Sequence, residues 1–149
     1  MQAQELLGHW ECKESKSDDS IIQVLNFQEN KDLSISIYGE ITIKDIMHAK
    51  FHSQDMAKYV MLGNELKIEM KELDKSVSID KIEYIGKNAS YAKDKSIRRK
   101  MDDIVVTEIK KLKVSVIKDL NQDNLQIVCL DENKLVLQIA NKKVEYHRK

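Results

Sequence analysis

Apolar and polar residues alternate with period two along most of this 149-residue chain, the pattern of half-buried strands. The clearest run is 33–43, where Leu33, Ile35, Ile37, Gly39, Ile41 and Ile43 share one face. Ser34, Ser36, Tyr38, Glu40 and Thr42 share the other. A glycine in the middle of the apolar face predicts a sharp bend, which small barrels need in order to close. Residues 9–15, with Trp10 and Cys12 on one face, and residues 20–27 predict two earlier strands joined through 15–19. Residues 46–52 predict another, with Met47, Ala49 and Phe51 opposite Ile46, His48, Lys50 and His52. Residues 59–62, the dipeptide Gly63-Asn64 and residues 65–71 read as a tight hairpin. Residues 76–85, 113–119, 124–130, 135–140 and 144–149 bring the total to about nine or ten short strands in up-and-down order. Turns are expected at 121–124 and 131–134.

One segment breaks the period. From about 92 to 111, Ile97, Met101, Ile104, Val105, Ile109 and Leu112 recur at helical spacing. Asp94 or Ser96 caps the start, and Lys110, Lys111 and Lys113 suit the C-terminal end of a helix. A helix inserted between strands is therefore expected. It is either a lid or plug on its own barrel or a partner-binding element that presents Arg98, Arg99, Asp102 and Asp103.

Composition narrows the classes. An Ile-, Val- and Leu-rich chain with 42% hydrophobic and 34% charged residues fits one globular domain over 1–149. Proline is absent, so turns fall to Gly, Asn and Asp. The charges balance, with 25 basic and 25 acidic residues, whereas a nucleic-acid binder carries a basic excess. The cluster Lys95, Arg98, Arg99 and Lys100 is followed by Asp102 and Asp103 and reads as a solvated helix face; no nucleic acid is expected. Cys12 and Cys129 fall at inward strand positions with at least one strand between them, so two buried thiols are expected rather than a disulfide. The first residues, Met1 to Glu5, carry no signal-like or lipobox pattern, and no apolar window spans a membrane. A cytoplasmic protein is expected as written, or a periplasmic one if a signal peptide was removed.

Gly8-His9-Trp10, with the closing Tyr146-His147-Arg148 and the meander between them, resembles the lipocalin-like branch of the calycin superfamily. The similarity is to the diverse bacterial lipocalin-like domains, from which no ligand carries over. The resemblance implies an all-β, up-and-down antiparallel barrel. It also implies that Trp10 packs at the closed end, beside Gly8, with Arg148 laid across the indole. The Thr-Asp-Tyr turn of secreted lipocalins is absent. The short connection after the first strand leaves no room for the helical lid of fatty-acid carriers.

Catalytic chemistry finds no constellation. His48 and His52 on one strand lie about 13 Å apart, too far for one metal ion. His9 and His147 point outward, and become cross-strand neighbours if the first and last strands pair. The glycines are isolated, and no nucleophile elbow or triad is present. No enzyme, cofactor or metal is expected. The apolar face supplies a candidate ligand-binding interior of Phe27, Ile35, Ile37, Met47, Phe51, Met61, Ile68, Met70 and Tyr146. Two functional readings follow. One is a non-catalytic protein holding a small hydrophobic molecule in its barrel. The other is a protein-binding module, such as a bacterial immunity protein that neutralises a toxin through barrel rim, loops and inserted helix.

Overall fold

The period-two segments become nine strands among the described residues: β1 (Gly8–Lys16), β2 (Asp19–Phe27), β3 (Asp32–Ile43), β4 (Met47–Leu62), β5 (Glu65–Glu69), β6 (Ser78–Tyr84), β7 (Leu125–Leu130), β8 (Lys134–Ile139) and β9 (Lys142–Arg148). They are seen in a computed structural model that describes residues 3–16, 19–70, 76–122 and 125–149. Ser17 and Asp18 of the first expected turn, Lys71 of the hairpin, and Asp123 and Asn124 of a later turn lie outside the described residues. Three helices accompany the strands: α1 (Ala3–Leu6), α2 (Lys87–Tyr91) and α3 (Lys95–Leu120).

Eight strands close an antiparallel barrel in the order β1-β2-β3-β4-β5-β7-β8-β9, with β9 returning to β1 through Trp10 opposite Arg148 and Glu11 opposite His147. β6 lies outside this ring order. It pairs with the first half of β4, while β5 pairs with the last five residues of β4. β5 and β7 share only two register positions, Glu65 with Gln126 and Leu66 with Leu125. The barrel thus has two sparsely paired seams, β5–β7 and β9–β1, and α2 and α3 lie in the chain's connection from β6 to β7. At 26 residues the helix is about 39 Å long.

Three expectations are corrected. The strands foreseen at 46–52 and 59–62 are one 16-residue strand, β4. Alternation runs through its middle, but the inward positions there are Ser53, Asp55 and Ala57, so the apolar signal lapses although the strand does not. The helix foreseen at 92–111 begins at Lys95, with Asp94 as N-cap accepting from the Ser96 and Ile97 amides, and runs on to Leu120. The strand foreseen at 113–119 is therefore its last third. β-branched Val114, Val116 and Ile117 suggested a strand, but burial of Val105, Ile109, Lys113 and Ile117 at strict i, i+4 spacing decides for helix. Within the expected helical stripe, Ile97 and Ile104 are exposed. Third, the bulge between Ile127 and Cys129 sets Cys129 opposite Val136, whereas Ile127 and Leu130 face inward residues Leu137 and Leu135. Cys129 is consequently half-buried and off the inner face, while Cys12 is buried; both are free thiols.

Gly39 is required by packing. It lies directly across from Phe51, and a β-carbon at position 39 would overlap the Phe51 ring. The ring is buried and fills the space over the glycine. Gly39→Ala is expected to lose about 1–3 kcal/mol through overpacking, and Phe51→Leu in the same chain is expected to restore part of it. Urea unfolding of both variants checks this.

Candidate functional site

The barrel interior is built from inward positions on every wall strand. Phe27, Ile35, Ile37, Met47, Phe51, Ile68 and Tyr146 are all buried there, in one core with Trp10, Leu25, Leu66, Leu125 and Leu137. Met61 and Met70 are only partly buried and pack against the edge of that core. Into the same core α3 sends Val105, Ile109, Ile117 and Leu120. The helix is thus part of the filling. At the end of the barrel where β1 finishes, a cavity of about 40 Å³ remains, lined by Cys12, Gln23, Val116, Leu120 and Tyr146 among others. That is room for water, whereas an organic ligand takes roughly 300–1,000 Å³.

Sequence reading missed the most unusual feature of this interior. Lys113, on the buried row of α3, and Asp55, on the inward face of β4, form an ion pair with Nζ–Oδ2 3.1 Å and side chains 1% and 3% exposed. Nζ also donates to the Ser76 carbonyl at 2.6 Å, and Ser53, the neighbouring inward position of β4, is buried beside Asp55 in sequence. The signals were present: Asp55 keeps the parity of the inner face, and Lys113 continues the 105–109 spacing. Lys113, expected at the C-terminal end of the helix, lies buried within it, because α3 runs on to Leu120; neither residue type signals burial, since charged residues are almost never fully buried unless paired. Chemically the pair is enclosed by the core and by α3, so it acts as a latch that fixes helix position and register in the barrel, the best-attested use of such pairs.

At the opposite end the chain's two termini meet. The Arg148 guanidinium lies 4.0 Å from the Trp10 ring centroid. Its Nη1 donates to the Leu7 carbonyl at 2.6 Å, Nη2 to Glu5 at 2.9 Å, and Nε to Glu132 at 2.7 Å. The indole Nε1 donates to the Leu6 carbonyl at 2.7 Å. Gly8 has φ +111°, and a β-carbon there would stand 2.8 Å from Arg148 Nη1, so both backbone and guanidinium call for glycine. The structure therefore brings Gly8, Trp10 and Arg148 together, and this is the barrel's clasp end.

Around the 40 Å³ cavity, Tyr146 donates to Gln23, and Lys142 pairs with Asp119 of α3 at 3.1 Å. Burial, reinforced by Glu14, pushes the Cys12 thiol up to about 11 from 9.0. Because the unfolded thiol ionises first, this contribution to stability is intact below pH 9.0 and is lost as pH rises toward 11. Two units of thiolate suppression, with enclosure added, predict alkylation of Cys12 at pH 8 at least about 100-fold slower than that of an ordinary thiol. Iodoacetamide labelling with peptide mapping should mark Cys129 first, and equal labelling would contradict the burial of Cys12.

On the outer surface, His48 Nδ1 lies 2.8 Å from the Thr42 hydroxyl and His52 Nδ1 2.8 Å from Asp80. His147 sits opposite Glu11, not His9, and lies 3.3 Å from Glu145. Among the described residues no cluster of three metal-ligating side chains occurs, and no helix is long and apolar enough to cross a membrane. Of the four α3 residues named from sequence, Arg99 and Asp103 are exposed. Asp102, expected on the outer face, is instead half-buried: it accepts from the Tyr84 hydroxyl at 2.6 Å and faces Arg98 Nε at 3.7 Å. Arg98 also donates to the Ile82 carbonyl and lies 5.6 Å from the Tyr84 ring centroid. Burial and the Asp102 carboxylate together raise the Tyr84 phenol well above its usual range. Compared with known proteins, the chain matches no family model and no curated protein.

Proposed function

We propose that this chain is a non-catalytic protein-binding module in which the barrel is a filled scaffold. One observation carries this reading. The row Val105, Ile109, Lys113, Ile117 and Leu120 of α3 is buried against the barrel, its apolar members in one core with the inward strand residues, which leaves that core filled. Binding a small hydrophobic molecule there would require α3 to leave and the Lys113–Asp55 pair to break. The Arg148–Trp10 clasp beside Gly8 supports the lipocalin-like reading of the scaffold, with the usual cavity given over to a helix. A toxin-neutralising immunity protein is the concrete form that this function takes.

Native mass spectrometry of the protein, isolated from its own host without denaturation, tests the choice. A stoichiometric complex of the 17.3 kDa chain with a second polypeptide is expected. A stoichiometric adduct of one small apolar molecule, surviving in place of a protein partner, would overturn the proposal.

A further inference from the structure

The first turns of α3 are exposed all round. Residues 93–100 are all exposed although Arg98 reaches β6 at Ile82 and Tyr84, and the buried row of the helix begins only at Val105. A helix held only for packing has no reason to extend there. The charge of this projection runs against helix physics. Positions 87–100 carry six cations, Lys87, Lys93, Lys95, Arg98, Arg99 and Lys100, and one carboxylate, Asp94. Beyond its N-cap Asp94, the first turn of α3 has no acidic residue and carries Lys95 and Arg98, although the N-terminal end of a helix disfavours cations. Arg98 is engaged by Asp102 and the Ile82 carbonyl. The other five form no ion pair among the described residues. A chain of zero net charge thus gathers here five cations that form no ion pair among the described residues.

Apolar side chains stand among them. Tyr91 is 55% exposed and Ile97 41%. Beside the start of α2, the rim of the barrel presents Ile43, Ile46 and Ile85, all exposed. These three are held together because the Ile46 amide donates to the Ile43 carbonyl and the Ile85 amide to the Ile46 carbonyl. Between β6 and the two helices runs a cleft of about 440 Å³, floored by Ile82, Ala89 and Ala92 and edged by Lys93, Arg98 and the Lys81–Glu83 ion pair. Exposed apolar anchors with a charged rim are the anatomy of a protein–protein interface. The clasp end offers a comparison: its cleft of about 560 Å³ beside Leu62 has one cation and one carboxylate, Lys31 and Glu29, and no sign bias.

We propose that this face, formed by the rim isoleucines, α2 and the first turns of α3, docks an acidic protein surface. The inference rests on the protein-binding reading and names the partner's chemistry and the site it meets. The lysines and Arg99 steer and orient a carboxylate-rich partner, because opposite potentials raise association rates. Ile46, Ile85, Tyr91 and Ile97 supply the desolvated contact. Phosphate backbones fit less well: Asp94, Asp102 and Asp103 interrupt the cations, and the exposed isoleucines offer a nucleic acid nothing to bond.

The test is site-specific photo-crosslinking in the native host, with p-benzoylphenylalanine at position 91 or 97 and, as control, at position 62 on the clasp end. Positions 91 and 97 should capture the same acidic polypeptide and position 62 should not. Lys95→Glu with Arg99→Glu and Lys100→Glu should lower the yield at least tenfold while the circular dichroism spectrum is unchanged. Capture of nucleic acid, of a second copy of this chain, or of the same protein equally from position 62 would overturn the proposal. A native complex that forms with positions 91 and 97 silent overturns this surface and leaves the binding-module reading standing.

Discussion

Lys113→Met is expected to destabilise the protein by about 3–5 kcal/mol, the usual penalty for removing one partner of a buried ion pair. Methionine keeps the length and apolar volume of the side chain, so packing changes little. The Asp55 carboxylate, 3% exposed, loses the ammonium charge it faces, and the Ser76 carbonyl loses the bond from Nζ. A domain of this size has about 5–15 kcal/mol in total, so the single variant loses a large share of its stability. Combining Lys113→Met with Asp55→Leu removes both charges and is expected to recover most of the loss, since apolar replacement of a whole buried pair is often neutral or better. Urea midpoints of the two single variants and the double variant give the coupling directly. Additive effects would show that α3 is not latched to β4 through this pair.

Trp10→Ala ranks second, at about 3–5 kcal/mol. Trp10 is the largest fully buried side chain and 0% exposed. Its loss leaves a cavity under Arg148 and removes the Nε1 bond to Leu6. Arg148→Ala is expected to lose about 3 kcal/mol from the other side, through charge-assisted bonds to three backbone carbonyls and the cation–π contact. Because both variants break the same closure of β9 on β1, their effects should be markedly less than additive. Thermal unfolding followed by circular dichroism suits this series, since the chain has a single tryptophan and fluorescence is lost with it. Arg148→Lys keeps the charge but not the planar fork, and should fall between the parent and Arg148→Ala.

The clasp could be read from sequence because each of its parts is an unusual residue with one physical role. A lone tryptophan, a nearby glycine and a terminal arginine point to one another even when 138 positions separate Trp10 from Arg148. β3 was legible for a different reason: every second position is apolar or glycine over 33–43, so tertiary context had nothing to override. The interior was less legible wherever polar groups are buried. Ser53 and Asp55 broke the alternation of β4, and Lys113 broke the apolar stripe of α3, so a strand was divided and a helix cut short at neighbouring points of the same contact. Those two misreadings have one cause, because each residue's burial depends on a partner 58 positions away. Gly39 was recognised as special, yet period-two reasoning does not show which side chain fills the gap; only the register, which places Phe51 across from it, does so. The candidate docking face shows the reverse. Its cations are visible in sequence but read as a solvated helix face; only the structure sets them beside the exposed rim isoleucines.

The central claim is that the buried face of α3, packed against the barrel, is part of its core rather than a movable lid. Native-state hydrogen exchange measures this most directly. If the claim holds, the amides of residues 109–117 exchange only through global unfolding. Their opening free energies then equal those of Ile35 and Ile37 in β3, with the same steep dependence on denaturant. Exchange of 109–117 through a shallower, lower-energy opening, accelerated by an apolar ligand while β3 stays protected, would contradict it and would identify α3 as the lid of a cavity.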